Sequence, residues 1–419
     1  MKAKYFDPMF YICSDKMPFS IRIIIRLKDK ISKSSLQLAV NKAQKRYPYF
    51  CIKVVEQDGE LITVENPLPL VTYEGPDLYP LGSDEVNGHM LALSYYNDEI
   101  NFHISHVITD GAGMHPFIKT VLYYYLCDRY NTKIDDTGVN LSESPFFDDE
   151  IGNPYPEEKI KAAQPFYECP KKDFFRLIDG GYVNDEKGTV FRLKIRESDV
   201  VKYSHDNDGS PCVLISSLMT KGIWDVHKNM TKDIVSAVSF NQRPALGNLH
   251  NYRMLCSAIM LRYPNSLRNA ETAKLCTCSR GMVSVQSQEE NVFYDVKQKK
   301  QMFENLQKFN GVEEIKAYLG ELALSDSINN TFSVSYVGRL DWGGIQPYLD
   351  TIYNYTDGST YKTVFIEITS TNGWFDIAFL QGFSSDIYYR SFKKQLEQNG
   401  LEYKEEDVFP LEISKIVLP

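Results

Sequence analysis

Ile21, Ile23, Ile25 and Leu27 alternate with Arg22, Arg26 and Lys28, and this period of two predicts a half-buried strand. Ser34 and Ser35 then offer helix-capping oxygens, Leu36, Ala39, Val40 and Ala43 recur on one helical stripe, and Pro48 closes the run. Residues 50–56 and 61–65 flank Asp58-Gly59, while residues 90–96 and 100–106 flank Asn97-Asp98. Both pairs read as hairpins, because these turn residues tolerate the positive φ that a tight turn requires.

After Thr109 the period changes. Asp110, Gly111 and Gly113 read as a turn, Pro116 as part of a first helical turn, and Phe117, Val121, Tyr124 and Tyr125 then repeat at helical spacing. Residues 131–158 are acidic and rich in Pro and Gly, the composition of a linker or crossover. Strand and helix patterns resume after Gly188, with a strand over 189–195, a helix capped by Ser198, a helix over 212–228 and a strand over 233–240. Residues 364–370 and 374–380 bracket Asn372-Gly373, and Tyr388, Phe392 and Leu396 mark a terminal helix stopped by Gly400. The order predicts an α/β protein with mixed or antiparallel sheets and no short repeat.

A chain of 419 residues suits two packed cores better than one, and the two stretches of similar build divide it at 1–175 and 176–419. Apolar residues make up 43 % of it, so burial can meet the entropy of ordering. A net charge of −9 argues against broad nucleic-acid binding. The eight cysteines, Cys169 among them, are spaced unlike a disulfide framework, and Cys276-x-Cys278 has no second pair to complete a metal site. Residues 1–13 lack the apolar run of a secretion signal, and no stretch approaches the ~20 apolar residues of a membrane span. A cytoplasmic, monomeric protein is expected.

The segment most suggestive of chemistry runs over residues 101–113, NFHISHVITDGAG. Strand parity puts Ile100, Phe102, Ile104 and His106 on one face and Asn101, His103 and Ser105 on the other. His106 thus falls on the apolar side, a position that suits a neutral imidazole acting as general base. The same parity separates His103 from His106 and argues against a shared metal with Asp110 and His115. His103 reads as structural, and His89, His115, His205, His227 and His250 have no motif around them. The chain carries neither a G-x-S-x-G elbow nor a phosphate-cradling glycine loop. Lys297, Lys299 and Lys300 read as the solvated face of a helix.

His106-x-x-x-Asp110-Gly111 resembles the H-x-x-x-D-G signature of the chloramphenicol-acetyltransferase-like enzymes, which include condensation domains, alcohol and polyketide-associated acyltransferases and the plant BAHD type. Residues 238–244, VSFNQRP, resemble that family's strand ending in an Arg-Pro turn, and residues 335–343, SYVGRLDWG, resemble its late Ser-Tyr-x-Gly and D-F-G-W-G-like region. The resemblance implies two subdomains with mixed sheets forming a V-shaped pseudo-dimer around a central channel, where donor and acceptor meet at His106. It implies acyl transfer from a thioester, acyl-coenzyme A as co-substrate, to an alcohol or amine, with no bound cofactor and no metal. Asp110 is implied to pair with an arginine, for which Arg243 is the candidate, and Gly111 to shape the turn. Ser105 stands where condensation domains carry a second histidine, which turns the reading toward a free-standing transferase. An acyl carrier protein as donor, and a binding platform without catalysis, are the alternatives.

Overall fold

The computed structural model describes residues 8–14, 17–165, 173–185, 187–326, 330–356 and 362–419. Cys169 and the first seven residues of the stretch read for a leader lie outside them. Strand β1 (Ser20–Leu27) sends Ile21, Ile23, Ile25 and Leu27 into one core, as its period demands. It is covered on both faces rather than half-buried, since Ile24 and Arg22 are only 5 % and 7 % exposed. Helix α1 (Lys33–Arg46) buries Leu36, Ala39, Val40 and Ala43. Its cap is Ser32, whose hydroxyl accepts from the Ser35 N–H, and not Ser34 or Ser35.

Strands β2 (Ile52–Gln57) and β3 (Glu60–Glu65) form the first hairpin, with Asp58 and Gly59 at φ 56° and 78°. Strand β4 (Thr72–Glu74) lies parallel to β5 (Leu91–Tyr96), which turns at Asn97 into β6 (Glu99–Ser105). Helix α2 (Gly111–Arg129) begins at Asp110, so Pro116 falls in its second turn and not its first. A mostly irregular crossover leads to α3 (Glu157–Ala162). The second half continues with β7 (Thr189–Arg196), α4 (Glu197–Asp206), α5 (Pro211–Val226), β8 (Ile234–Asn241), α6 (Arg243–Leu246) and β9 (Cys256–Tyr263). Ser198 lies inside α4 and does not cap it. Helices α7 (Thr272–Gln286), α8 (Glu289–Glu304) and α9 (Val312–Asp326) precede β10 (Phe332–Tyr336), β11 (Leu349–Thr356), β12 (Val364–Thr371), β13 (Trp374–Gln381), α10 (Ile387–Gln398) and β14 (Tyr403–Pro410).

Two mixed sheets result among the described residues. One has the order β11-β1-β6-β5-β4, the other β14-β7-β13-β12-β10-β8-β9. Each backs its own apolar core, one around Ile25, Leu36, Phe102 and Phe117, the other around Leu193, Leu218, Phe332 and Phe379. The chain does not divide between them at residue 175: β11 comes from the second half, yet it pairs with β1, Ile352 opposite Ile25. The same strand touches the second sheet, where the Thr369 hydroxyl donates to the Ile352 carbonyl. Strand β11 is therefore the seam, and only β1 separates it from β6, whose end leads into residue 106. No helix among the described residues is long and apolar enough to cross a membrane.

Candidate active site

His106 follows β6 by one residue, so a turn and not strand parity sets its ring. Its backbone N–H donates to the Phe19 carbonyl at 2.8 Å. The Phe19 ring stacks on the imidazole, with centroids 5.3 Å apart and planes 20° from parallel. Phe19 holds φ at 50°, a left-handed conformation that costs a non-glycine residue about 1–2 kcal/mol and is retained where surrounding structure fixes it. Nδ1 of His106 lies 2.8 Å from the Thr109 carbonyl oxygen. A carbonyl only accepts, so Nδ1 carries the hydrogen, and the lone pair of the neutral ring is on Nε2. His103 faces the opposite side, fully buried, 3.3 Å from the Ser20 hydroxyl.

Asp110 caps α2, accepting from the Gly113 N–H at 2.8 Å through one carboxylate oxygen. The other accepts from Arg243 Nη1 at 2.9 Å and from the Leu255 N–H at 2.8 Å. Arg243 also donates to the carbonyls of Asn251 and Arg253, at 2.8 and 2.6 Å. The structure thus brings Asp110 and Arg243 together, both buried, and uses both carboxylate oxygens of Asp110 in holding the loop.

Gly111 and Gly113 are helical rather than turn residues, and neither has a positive φ. Space is what they provide. A Cβ on Gly113 would lie 2.3 Å from the Tyr252 carbonyl oxygen and 2.8 Å from Arg243 Nη2, and one on Gly111 would lie 2.9 Å from Val337 Cγ2.

His106 opens into a cavity of about 710 Å³ with a mostly apolar lining that includes Phe10, Phe19 and Ile108. Lys299 and Lys300 of α8 line it too, which corrects their reading as a merely solvated face. Each is paired, Lys299 with Asp295 at 2.7 Å and Lys300 with Glu157. Lys297 instead donates to the carbonyls of Lys161 and Ala163. Cys256 also lines the cavity, and burial pushes its thiol up to about 12. Tyr155, from the crossover, lines it with its hydroxyl 2.6 Å from Gln242 Oε1. Phe19, Thr109 and Tyr155 carry no sequence signal that would have marked them for this site. Cys276 is buried and Cys278 exposed, so the C-x-C pair does not converge.

No protein-family model matches the chain, and no curated protein matches it. Solved structures do. F. sporotrichioides TRI101 complexed with coenzyme A and T-2 is 8 % identical, with a TM-score of 0.61 over 96 % of this chain and 98 % of that one. The first condensation domain of the calcium-dependent antibiotic synthetase, in complex with a substrate analogue, is 10 % identical, with a TM-score of 0.59 over 95 % and 97 %. Polyketide synthase associated protein 5 from Mycobacterium tuberculosis is 10 % identical, with a TM-score of 0.58 over 90 % and 93 %. The chain has the two-subdomain fold of the condensation-domain and chloramphenicol-acetyltransferase-like proteins.

Proposed function

We propose that this protein transfers an acyl group from a thioester to an alcohol or amine, with His106 Nε2 as general base. One observation carries the reading: a turn at a cavity wall anchors Nδ1 to the Thr109 carbonyl and leaves the Nε2 lone pair for a substrate proton. The base takes the proton of the acceptor hydroxyl or amine as its oxygen or nitrogen attacks the thioester carbonyl. The tetrahedral intermediate then collapses, the carbon–sulfur bond breaks, and the leaving thiolate takes the proton back from the imidazolium. An acyl-enzyme on Cys256 is disfavoured, because a thiol pushed up to about 12 supplies little thiolate near pH 7.

Asp110, Gly111 and Arg243 act in this reading as positioning residues that fix the loop and make no contact with the reacting atoms. The cavity's apolar walls suit an acyl chain, and acyl-coenzyme A is the proposed co-substrate, as the coenzyme A of the TRI101 complex suggests. A carrier-bound thioester is the second reading, favoured by the condensation domains among the structural neighbours. The assay follows free thiol from acetyl-coenzyme A, an acyl-pantetheine and an acyl-carrier protein, with and without a panel of alcohols and amines. Acceptor-dependent release from the small donors is expected. Release from the carrier alone would select condensation, and release from none would leave a binding platform.

A further inference from the structure

A second, narrow cavity of about 30 Å³ borders Gly111 at the start of α2 without including His106. That is room for one or two small groups, given the ~10–15 Å³ a single water needs. Three polar atoms on its lining residues are buried and have no hydrogen-bond partner among the described residues: Trp342 Nε1, His115 Nε2 and Asn354 Oδ1. Trp342 is only 2 % exposed, and its ring meets that of His115 edge to face at 4.6 Å and 77°. Buried polar atoms are nearly always paired, so three around one small space point to something that pairs with them.

The chemistry of the three atoms specifies the partner. An indole N–H only donates and an amide oxygen only accepts. A group serving both must accept and donate at once, as a hydroxyl or a secondary amide does. Burial, reinforced by the nearby Lys119 charge, holds the His115 imidazole down at about 4, so it is neutral near pH 7. No Asp, Glu, Lys or Arg lines the cavity among the described residues, and Ile23, Ile118, Leu340 and Ile352 supply apolar wall. We infer that this slot binds the uncharged hydroxyl or amide end of a substrate, which accepts from Trp342 and donates to Asn354. Only the identity of the substrate rests on the acyl-transfer reading. An alkyl alcohol acceptor carries such a group, and so does the amide arm of a pantetheine thioester.

The test uses the full chain with 15N-labelled tryptophan, its three indole N–H resonances assigned with the help of Trp342→Phe. The probes are 1-butanol, standing for the acceptor, and N-acetylcysteamine, standing for the pantetheine arm. One of them should move the Trp342 resonance saturably and leave those of Trp224 and Trp374 in place, and which one does so identifies the source. Asn354→Leu should raise the midpoint of that titration about tenfold, the loss of one buried hydrogen bond. No saturable movement with either probe would overturn the inference, as would a midpoint unchanged in Asn354→Leu. Because the measurement needs no turnover, a resonance that titrates in a protein without transferase activity would refute the proposed function and leave the slot standing.

Discussion

Two buried arginine–aspartate pairs differ in what they are tied to. Arg243 and Asp110 join the segment after β8 to the start of α2, and their further contacts go to Asn241 at the end of β8, to Gly113 in the first turn of α2, and to the backbone of Asn251, Arg253 and Leu255 before β9. Arg192 and Asp376 lie on neighbouring strands of one sheet, bonded twice at 3.1 and 2.6 Å. Across to the other sheet, the Arg192 guanidinium lies 3.8 Å from the centroid of the Tyr353 ring. Both pairs are buried, the first joined by one hydrogen bond and the second by two, but only the first sets the position of a candidate catalytic loop. A buried ion pair is weak evidence for net stability, since desolvation offsets much of the attraction, so what each pair holds in place distinguishes them.

The scale for that comparison comes from His106→Ala, which should remove about two to four orders of magnitude of transfer rate and leave the thermal midpoint in place. A folded, fully active variant would end the mechanism. His103→Ala should instead lower stability, through its contact with Ser20, and spare the rate. Next in size, Asp110→Asn and Arg243→Ala should each reduce kcat/KM and cost about 3–5 kcal/mol of stability, because either one leaves a buried partner unpaired. The double variant should lose less than the sum. Additive losses would show that the two side chains act separately.

Arg192→Met and Asp376→Asn are expected to lower stability by a comparable amount while leaving kcat/KM near that of the unaltered protein. Arg192→Met combined with Asp376→Leu should recover much of the loss, since no buried charge is then left alone. Chemical denaturation and steady-state rates on the same samples separate the pairs. If the Arg192 variants lose activity in step with the Asp110 variants, the seam transmits to the loop and the contrast drawn above fails.

Local signals explain how much of this was legible in the sequence. The hairpins at Asp58-Gly59 and Asn372-Gly373 formed where their turn residues placed them, because the positive φ is fixed by the dipeptide itself. The buried stripe of α1 was readable for the same reason, although its cap moved to Ser32. His106 stands out from its place at the end of an apolar strand face, and Asp110 and Arg243 from a resemblance across three segments. What remained hidden depends on chain meeting chain at a distance. The second face of β1 is covered by residues far along the sequence, where Arg22 donates to the Glu412 carbonyl at 2.6 Å. The need for glycine at 113 comes from the Tyr252 carbonyl, Thr109 and Arg243, and Lys299 lines the cavity from a helix, α8, that packs beside α3, α6 and α7.

The smallest expected effect concerns another buried carboxyl, one that has no ion-pair partner among the described residues. Glu367 on β12 is 5 % exposed and accepts from the Thr356 hydroxyl. Burial pushes its carboxyl above the usual range, while Thr356, Ser335 and the field of His106 pull the other way more weakly. The folded-state value therefore lies above the unfolded one, and the folded protein holds the extra proton. Its contribution to stability is full below the ordinary glutamate range and declines as pH rises through the folded value. Glu367→Gln keeps the shape of the neutral acid and removes the titration. The variant should gain on the unaltered protein in urea unfolding at pH 8 and match it near pH 4. A penalty at pH 8 would mean that Glu367 is held there as a carboxylate, paired as firmly as Asp110 and Asp376 are.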